Sequence, residues 1–539
     1  MKWWQKTICY ELYPKSFLDT TGSGTGDIQG IINKLDYLEE LGIGAVWITP
    51  VFKSPMKDNG YDVIDYCSID PGYGTMADMD RLFEEAGKRN IRIIMDLVVN
   101  HTSDENPWFL ESKKDRTNSK ADWYVWRDEP ANWRSIFGGS AWTWCEERGQ
   151  YYLHTFGDFQ PDLNWANPEV RKAIADAALF WLDKGAGGFR IDAVPYIRKP
   201  DVFTDGTPDG SDGMISVHDM TANLNGILDY LHEFKDALKG YDIFTVGEAN
   251  GVKAEQLNEW VGPDGVFDMI FEFSHVNLEF KGIETWCRPD PWTISDLKKA
   301  LFATQHATKE NGWATVFFEN HDKPRSVDHY FSENADKTPA SKAIGVLLYT
   351  LRGTPFLYQG QELGYRNVKY GSIEDYNDVS SYGQYHFALE EGLSEEEALA
   401  CVHRFSRDSA RTPMQWDDTE NAGFSKGKPW LPVHEDYKEQ NVSKEEKDSD
   451  SILTWYKNLA RVRKTYPALT EGELVPVNES DPCVMSFVRK TKDQEILIAV
   501  NLSEEEIKFE YKYESIILSS VDHEDGKLKP LEASIFLLK

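Results

Sequence analysis

The chain has 539 residues, 41% of them hydrophobic, a formal net charge of −32 and a pI near 4.8. That length suits one large barrel-type domain with satellites, and so acidic a surface excludes phosphate backbones and anionic lipid as expected partners. Six scattered cysteines (Cys9, Cys67, Cys145, Cys287, Cys401, Cys483) show no metal-ligand spacing, and no apolar run reaches membrane-spanning length, so a cytoplasmic protein with reduced thiols is expected.

Along the chain, TICYELY (7–13) predicts the first strand. An amphipathic helix over 28–41 follows, closed by Gly42. AVWITP (45–50), a helix over 76–89 and IRIIMDLVV (91–99) come next. Beyond an irregular interval lie a helix over 170–185 and the strand GFRIDAV (188–194). DIFTVGEA (242–249), VFDMIFEF (266–273), ATVFFEN (314–320) and TPFLYQG (354–360) complete eight continuous apolar runs with helical stretches between them. Such runs suit strands buried on both faces, and eight strand–helix units predict an α/β fold, a (β/α)8 TIM barrel with its site at the C-terminal strand ends.

Two intervals break the alternation. Residues 102–169, rich in Trp, Asn and Gly, are too long for a connection and predict an inserted subdomain after the third strand. After the eighth strand, 365–430 reads as irregular except for 394–405, which opens with a capping box at Ser394 and Glu397. From 471 to 539, short strands without helices predict a C-terminal all-β sandwich. The barrel is thus assigned to 1–101 and 170–470.

Acidic residues sit at or just past the ends of these strands: Asp192, Glu248 and Asp322, with Asp96, Asn100 and His101 at a fourth. Glycoside hydrolysis needs carboxylates delivered to one place, a nucleophile opposite an acid that later activates water. Arg190 lies two residues before Asp192, so both side chains leave the strand on one face, and the cation is expected to lower the Asp192 pKa. Glu248 lies between Gly247 and Ala249, small neighbours expected to admit substrate and to leave the acid in a less polar setting that raises its pKa.

DLVVNH (96–101), GFRIDAV (188–194), VGEAN (246–250) and FFENHD (317–322) resemble the four ordered regions of the α-amylase family of glycoside hydrolases. QPDLNW (160–165), NGYDVIDY (59–66) and SRDSARTPMQW (406–416) resemble its α-glucosidase branch, which holds oligo-1,6-glucosidases, maltases, dextran glucosidases and trehalose-6-phosphate hydrolases. The resemblance implies Asp192 as nucleophile, Glu248 as acid/base and Asp322 as transition-state stabiliser. It implies His101 and His321 as hydroxyl binders, Tyr61 and Phe156 as aromatic walls, Gln160 as a polar contact and Arg411 as a structural arginine. Asp62 and Arg407 resemble a salt-bridged pair that closes a one-glucose pocket and makes the enzyme exo-acting.

Ala193 follows the nucleophile, where valine resembles α-1,6 specialists and alanine resembles α-1,4-active enzymes, so maltose-like or mixed specificity is expected. In the loop DTTGSGTGD (19–27), relatives carry a calcium site. This chain keeps Asp19 and Asp27 but has Thr21 and Ser23 at middle ligand positions, so a Gly-rich turn is expected, with calcium as the alternative and no cofactor required. The leading expectation is a retaining exo-α-glucosidase acting on short α-glucosides, a monomer by default. The alternative is trehalose-6-phosphate hydrolysis. Sucrose isomerisation is disfavoured because 281–295 lacks an arginine-rich loop, and a non-catalytic scaffold is disfavoured by the intact carboxylates.

Overall fold

Each of the eight apolar runs forms a strand in the computed structural model, which describes residues 1–210, 212–280 and 285–538. They are β1 (Cys9–Leu12), β2 (Ala45–Ile48), β3 (Arg92–Val98), β4 (Gly188–Asp192), β5 (Phe244–Glu248), β6 (Met269–Phe271), β7 (Thr315–Val316) and β8 (Thr354–Tyr358). β4 pairs in parallel with β3 and β5, β5 with β6, and β8 with β1 and β7. The sheet order β6-β5-β4-β3-β2-β1-β8-β7 is chain order read round a circle, the arrangement of a (β/α)8 barrel. Among the described residues no helix is long and apolar enough to cross a membrane.

Chain contacts define two compact units. One comprises Met1–Val46, Glu85–Ile91 and Ser274–Lys539; the other comprises Trp47–Glu84 and Arg92–Phe273.

In the second unit, β3, β4 and β5 carry Asp96, Asp192 and Glu248 at or near their ends. The helix Pro168–Lys184 begins at Asn167, whose side chain accepts from the Glu169 amide, and stops at Gly185 in the left-handed region (φ 109°). The inserted segment folds into a three-stranded antiparallel sheet of Trp126–Arg127, Gln150–Leu153 and Trp142–Cys145. Trp133, Trp142 and Leu153 form its core together with Val217, which comes from the segment after β4.

In the first unit, the helix expected over 28–41 is broken at Lys34 (φ −113°, ψ 10°) into Ile28–Asn33 and Leu35–Glu40, and Gly42 takes the expected left-handed conformation (φ 86°). The capping box at Ser394 and Glu397 opens the helix Glu395–Phe405. The rest of 365–430 departs from expectation, because Val379–Glu390 is also helical, started by the Asp378 side chain. Ser, Gly and aromatic residues are poor helix formers, and Val379–Glu390 carries enough of them to mask its period. The terminal domain is a five-stranded antiparallel sheet, in the order Glu473–Val477, Val484–Lys490, Glu495–Asn501, Ala533–Leu537, Ser515–Ser519. A two-residue ribbon of Ile507–Lys508 with Lys527–Leu528 places Leu528 against Val484, Leu497 and Phe536.

Gly188 opens β4 at φ 145°, where a Cβ would stand 2.0 Å from the Phe244 carbonyl oxygen on β5. Two backbones meet there without room for a side chain. Gly188→Ala is expected to destabilise the protein by at least about 2 kcal/mol, read as a lowered urea midpoint. An unchanged midpoint would show that the strands separate freely at this point.

Candidate active site

The second unit gathers three carboxylates around one guanidinium. Arg190, inside β4 and 2% exposed, donates through Nη1 to Asp192 Oδ1 at 2.6 Å and to both oxygens of Asp96 at 3.0 and 3.2 Å. Its Nη2 donates to Glu248 Oε2 at 2.7 Å. Residues 190 and 192 do share a face of β4, and β3 and β5 bring Asp96 and Glu248 from either side. Trp47 Nε1 and the Tyr61 hydroxyl also donate to Asp96, at 3.1 and 2.9 Å, and their rings lie 5.1 and 5.7 Å from the guanidinium carbon.

Two electrostatic expectations are corrected here. Asp192 is not held low: burial raises its pKa well above the ordinary carboxylate value, Arg190 opposes this, and Glu248 and Asp96 raise it further. Asp192 and Glu248 lie within hydrogen-bond reach of each other, and that contact adds to the rise at Asp192. Glu248 does not sit in an apolar niche; it accepts from Arg190 and, at 3.1 Å, from the Ala193 amide. Gly247 is small for a different reason from the one expected. A Cβ there would stand 2.6 Å from the Phe267 ring, so the missing side chain serves packing.

Ala193 leaves β4 in the left-handed region (φ 48°, ψ 34°), which turns its N–H toward Glu248. His101 is fully buried: its Nε2 lies 3.1 Å from the Tyr61 carbonyl oxygen and 3.2 Å from Gln160 Nε2, and burial lowers it to about 4, a neutral ring. Phe156 packs on that ring with centroids 5.1 Å apart. Gln160 donates to Asp58 at 3.0 Å and accepts from the Gly157 amide. Asp62 accepts from Ser54 Oγ and the amides of Lys57 and Asp58, and burial raises its pKa despite them. Asp162 of QPDLNW, unassigned from sequence, accepts from Thr155 and Asn100 and pairs with buried Lys199 at 2.6 Å. Lys199 also donates to Asn100, fixing the residue before His101.

The first unit presents the reverse balance, cations gathered round Asp322. Arg411 Nη2 donates to Asp322 Oδ1 at 2.6 Å, and Arg407 Nη1 reaches the same oxygen at 3.3 Å. His321 Nε2 lies 3.1 Å from Asp322 Oδ2, while its Nδ1 lies 2.7 Å from Glu11 Oε1 on β1. Burial opposes the charged ring, yet Asp322 and Glu11 outweigh it and raise His321 to about 9. For Asp322, burial is outweighed by His321, Arg407 and Arg411, which hold it well below the ordinary carboxylate range. Both His321 nitrogens therefore face carboxylates. Arg407 is gripped by Asp378, which accepts from its Nε at 2.7 Å and also caps the helix Val379–Glu390.

Asp19 and Asp27 are filled by protein donors. Asp19 accepts from the amides of Thr21, Gly22 and Gly24 and the hydroxyls of Thr21 and Ser425. Asp27 accepts from Thr20 and from the Gly30 amide as a helix N-cap. Ser23 Oγ donates to the Thr25 carbonyl oxygen. Those donors do not fit a calcium ion, which requires oxygen lone pairs turned inward. Among the described residues no cluster of three or more His, Cys, Asp or Glu is arranged for a metal.

Glu11, Asp378 and Lys199 escaped sequence reasoning. Glu11 carried the one legible signal, an acid inside the otherwise uncharged run TICYELY.

Carboxylates at the C-terminal ends of parallel barrel strands, two of them spanned by one guanidinium, define an enzyme of the glycoside hydrolase class. The chain belongs to the α-amylase family, whose catalytic domain (Alpha amylase, catalytic domain) matches residues 11–472. It is 40% identical to an oligo-1,6-glucosidase of Parageobacillus thermoglucosidasius over 100% of this chain and 99% of that one. It is 38% identical to a trehalose-6-phosphate hydrolase of Bacillus subtilis (strain 168), over 99% and 98% respectively. Among solved structures, isomaltulose synthase of Erwinia rhapontici NX5 superposes with a TM-score of 0.95 at 37% identity, covering 100% of this chain and 99% of that one.

His321 makes stability depend on pH. Its folded pKa lies above the ordinary histidine value, so its contribution is complete below about pH 6.5 and is lost as pH rises through about 9, roughly 3 kcal/mol at most. Glu11→Gln is expected to flatten that alkaline fall in chemical-denaturation curves measured between pH 6 and 10. An equally steep fall in the variant would show that Glu11 does not hold the imidazolium.

Proposed function

We propose that the protein is a retaining exo-α-glucosidase that removes glucose from the non-reducing ends of short α-glucosides, α-1,4 and α-1,6 linked. The observation that carries this is the span of Arg190 across Asp192 and Glu248 at 2.6 and 2.7 Å. One guanidinium holding both carboxyls suits the separation of about 5–5.5 Å used in retention and not the 6.5–9.5 Å or so of inversion. Asp192 attacks the anomeric carbon as Glu248 protonates the leaving oxygen; Glu248 then activates water to release glucose with retained configuration.

Asp322 is assigned to transition-state stabilisation on the family's FFENHD motif, and the cations around it support an ionised carboxylate. Asp62 and Arg407 are assigned to closing the glucose pocket on the same footing. Curated relatives at 39–41% identity named oligo-1,6-glucosidase favour α-1,6 bonds, while Ala193 favours α-1,4 activity, so both linkages belong to the reading. Isomaltulose synthase shares the fold, but residues 285–295 hold a single arginine, Arg288; residues 281–284, the rest of that segment, lie outside the described residues. The reading includes a cytoplasmic monomer, in keeping with six cysteines that form no disulfide.

Asp192→Ala is expected to lower kcat on isomaltose and maltose by about 10^4-fold or more, with α-glucose as the first product of the unaltered enzyme by NMR. Full activity in that variant, or β-glucose as first product, would sink the mechanism. Greater activity on trehalose 6-phosphate than on either disaccharide would instead establish the alternative. Ala193→Val places a β-branched side chain at φ 48° and is expected to cost about 1–3 kcal/mol of stability. It should also raise the isomaltose-to-maltose ratio of kcat/KM; an unmoved ratio would separate this residue from linkage preference.

A further inference from the structure

We propose that His218 is a specificity-determining residue that hydrogen-bonds the leaving sugar, an inference resting on the roles given to Asp192 and Glu248.

The segment carrying His218 is fixed on three sides. Val217, its neighbour, is fully buried in the core of the inserted subdomain. The Asn223 amide donates to the Pro195 carbonyl oxygen at 2.8 Å, and His218 Nδ1 lies 2.9 Å from the Tyr196 hydroxyl. Those contacts tie it to the turn that begins one residue after Asp192. Asn223 Nδ2 donates to the Asn250 carbonyl oxygen at 2.9 Å, two residues beyond Glu248. His218 thus stands at the loops leaving β4 and β5, the strands that end in the two reacting carboxylates.

The side of the reaction follows from chemistry. Glu248 gives its proton to the leaving oxygen, so the leaving sugar lies on the side of Glu248 away from the bound glucose. Gly251, three residues on, lies against His218: a Cβ there would stand 3.7 Å from His218 Nε2 and 3.2 Å from Asn223 Nδ2. Tyr196 packs edge-on against Phe156, with centroids 5.6 Å apart, and Phe156 packs on His101. One continuous aromatic wall therefore runs from the glucose-side histidine to His218.

The ring is half-buried and its Nε2 has no protein partner among the described residues. Burial lowers its pKa, which keeps the ring neutral. In either tautomer Nε2 then offers one hydrogen bond to a hydroxyl, which can both donate and accept. A sugar leaving group supplies such hydroxyls; a nitrophenol does not.

The test compares isomaltose with 4-nitrophenyl α-glucopyranoside, using the full-length enzyme and His218→Ala. The expected result is an about three- to tenfold loss of kcat/KM on isomaltose and a change within about twofold on the aryl glucoside. Equal losses on both substrates, or no loss on isomaltose, would overturn the proposal. Should His218→Ala not fold, His218→Phe, which keeps a ring against Tyr196 and removes both nitrogens, decides by the same comparison. Asp192→Ala assayed alongside separates the two levels. Activity in that control refutes the reading of the site, whereas an inactive control with an unchanged substrate ratio in the His218 variant refutes this inference alone.

Discussion

The Arg190 guanidinium is the interaction on which the rest depends. It is buried, and it touches Asp96, Asp192 and Glu248. A carboxylate taken from water without a partner costs several kcal/mol, and the guanidinium is the partner that all three share. The barrel serves the arrangement by fixing strand register, since Asp96 pairs across from Arg190 and Val246 lies on its other side.

Charge around Asp322 is arranged in the opposite sense. Two guanidinium groups and an imidazolium keep it ionised, and Glu11 and Asp378 in turn hold His321 and Arg407. In its proposed role Asp322 must stay negative beside a developing positive sugar, and the cations behind it serve that role. The family's motifs name Asp322 and His321; they do not name the acids that position the cations.

Much of this was legible in sequence. The eight strands followed from continuous apolar runs, because a strand covered on both faces needs no polar alternation. The pairing of Arg190 with Asp192 followed from a period of two. What escaped was three-dimensional in origin. The rise in Asp192 could not be seen, since it comes from burial and from Glu248 and Asp96 on neighbouring strands. Gly247 looked like an opening for substrate and is a seat for Phe267, twenty residues further along. Val379–Glu390 hid because its stability comes from tertiary packing of Tyr385 and Ala388 and from the Asp378 cap, and helix propensity contributes little.

The left-handed turn at Ala193 has an evolutionary consequence. Its N–H serves Glu248 only because the chain reverses directly after Asp192, so on the proposed reading the residue there meets two demands at once. A small side chain tolerates the strained backbone, and a bulkier one alters the space beside Asp192. If this position sets linkage preference as proposed, drift between preferences consumes stability margin, and lineages that made the change are expected to carry compensating substitutions elsewhere in the barrel.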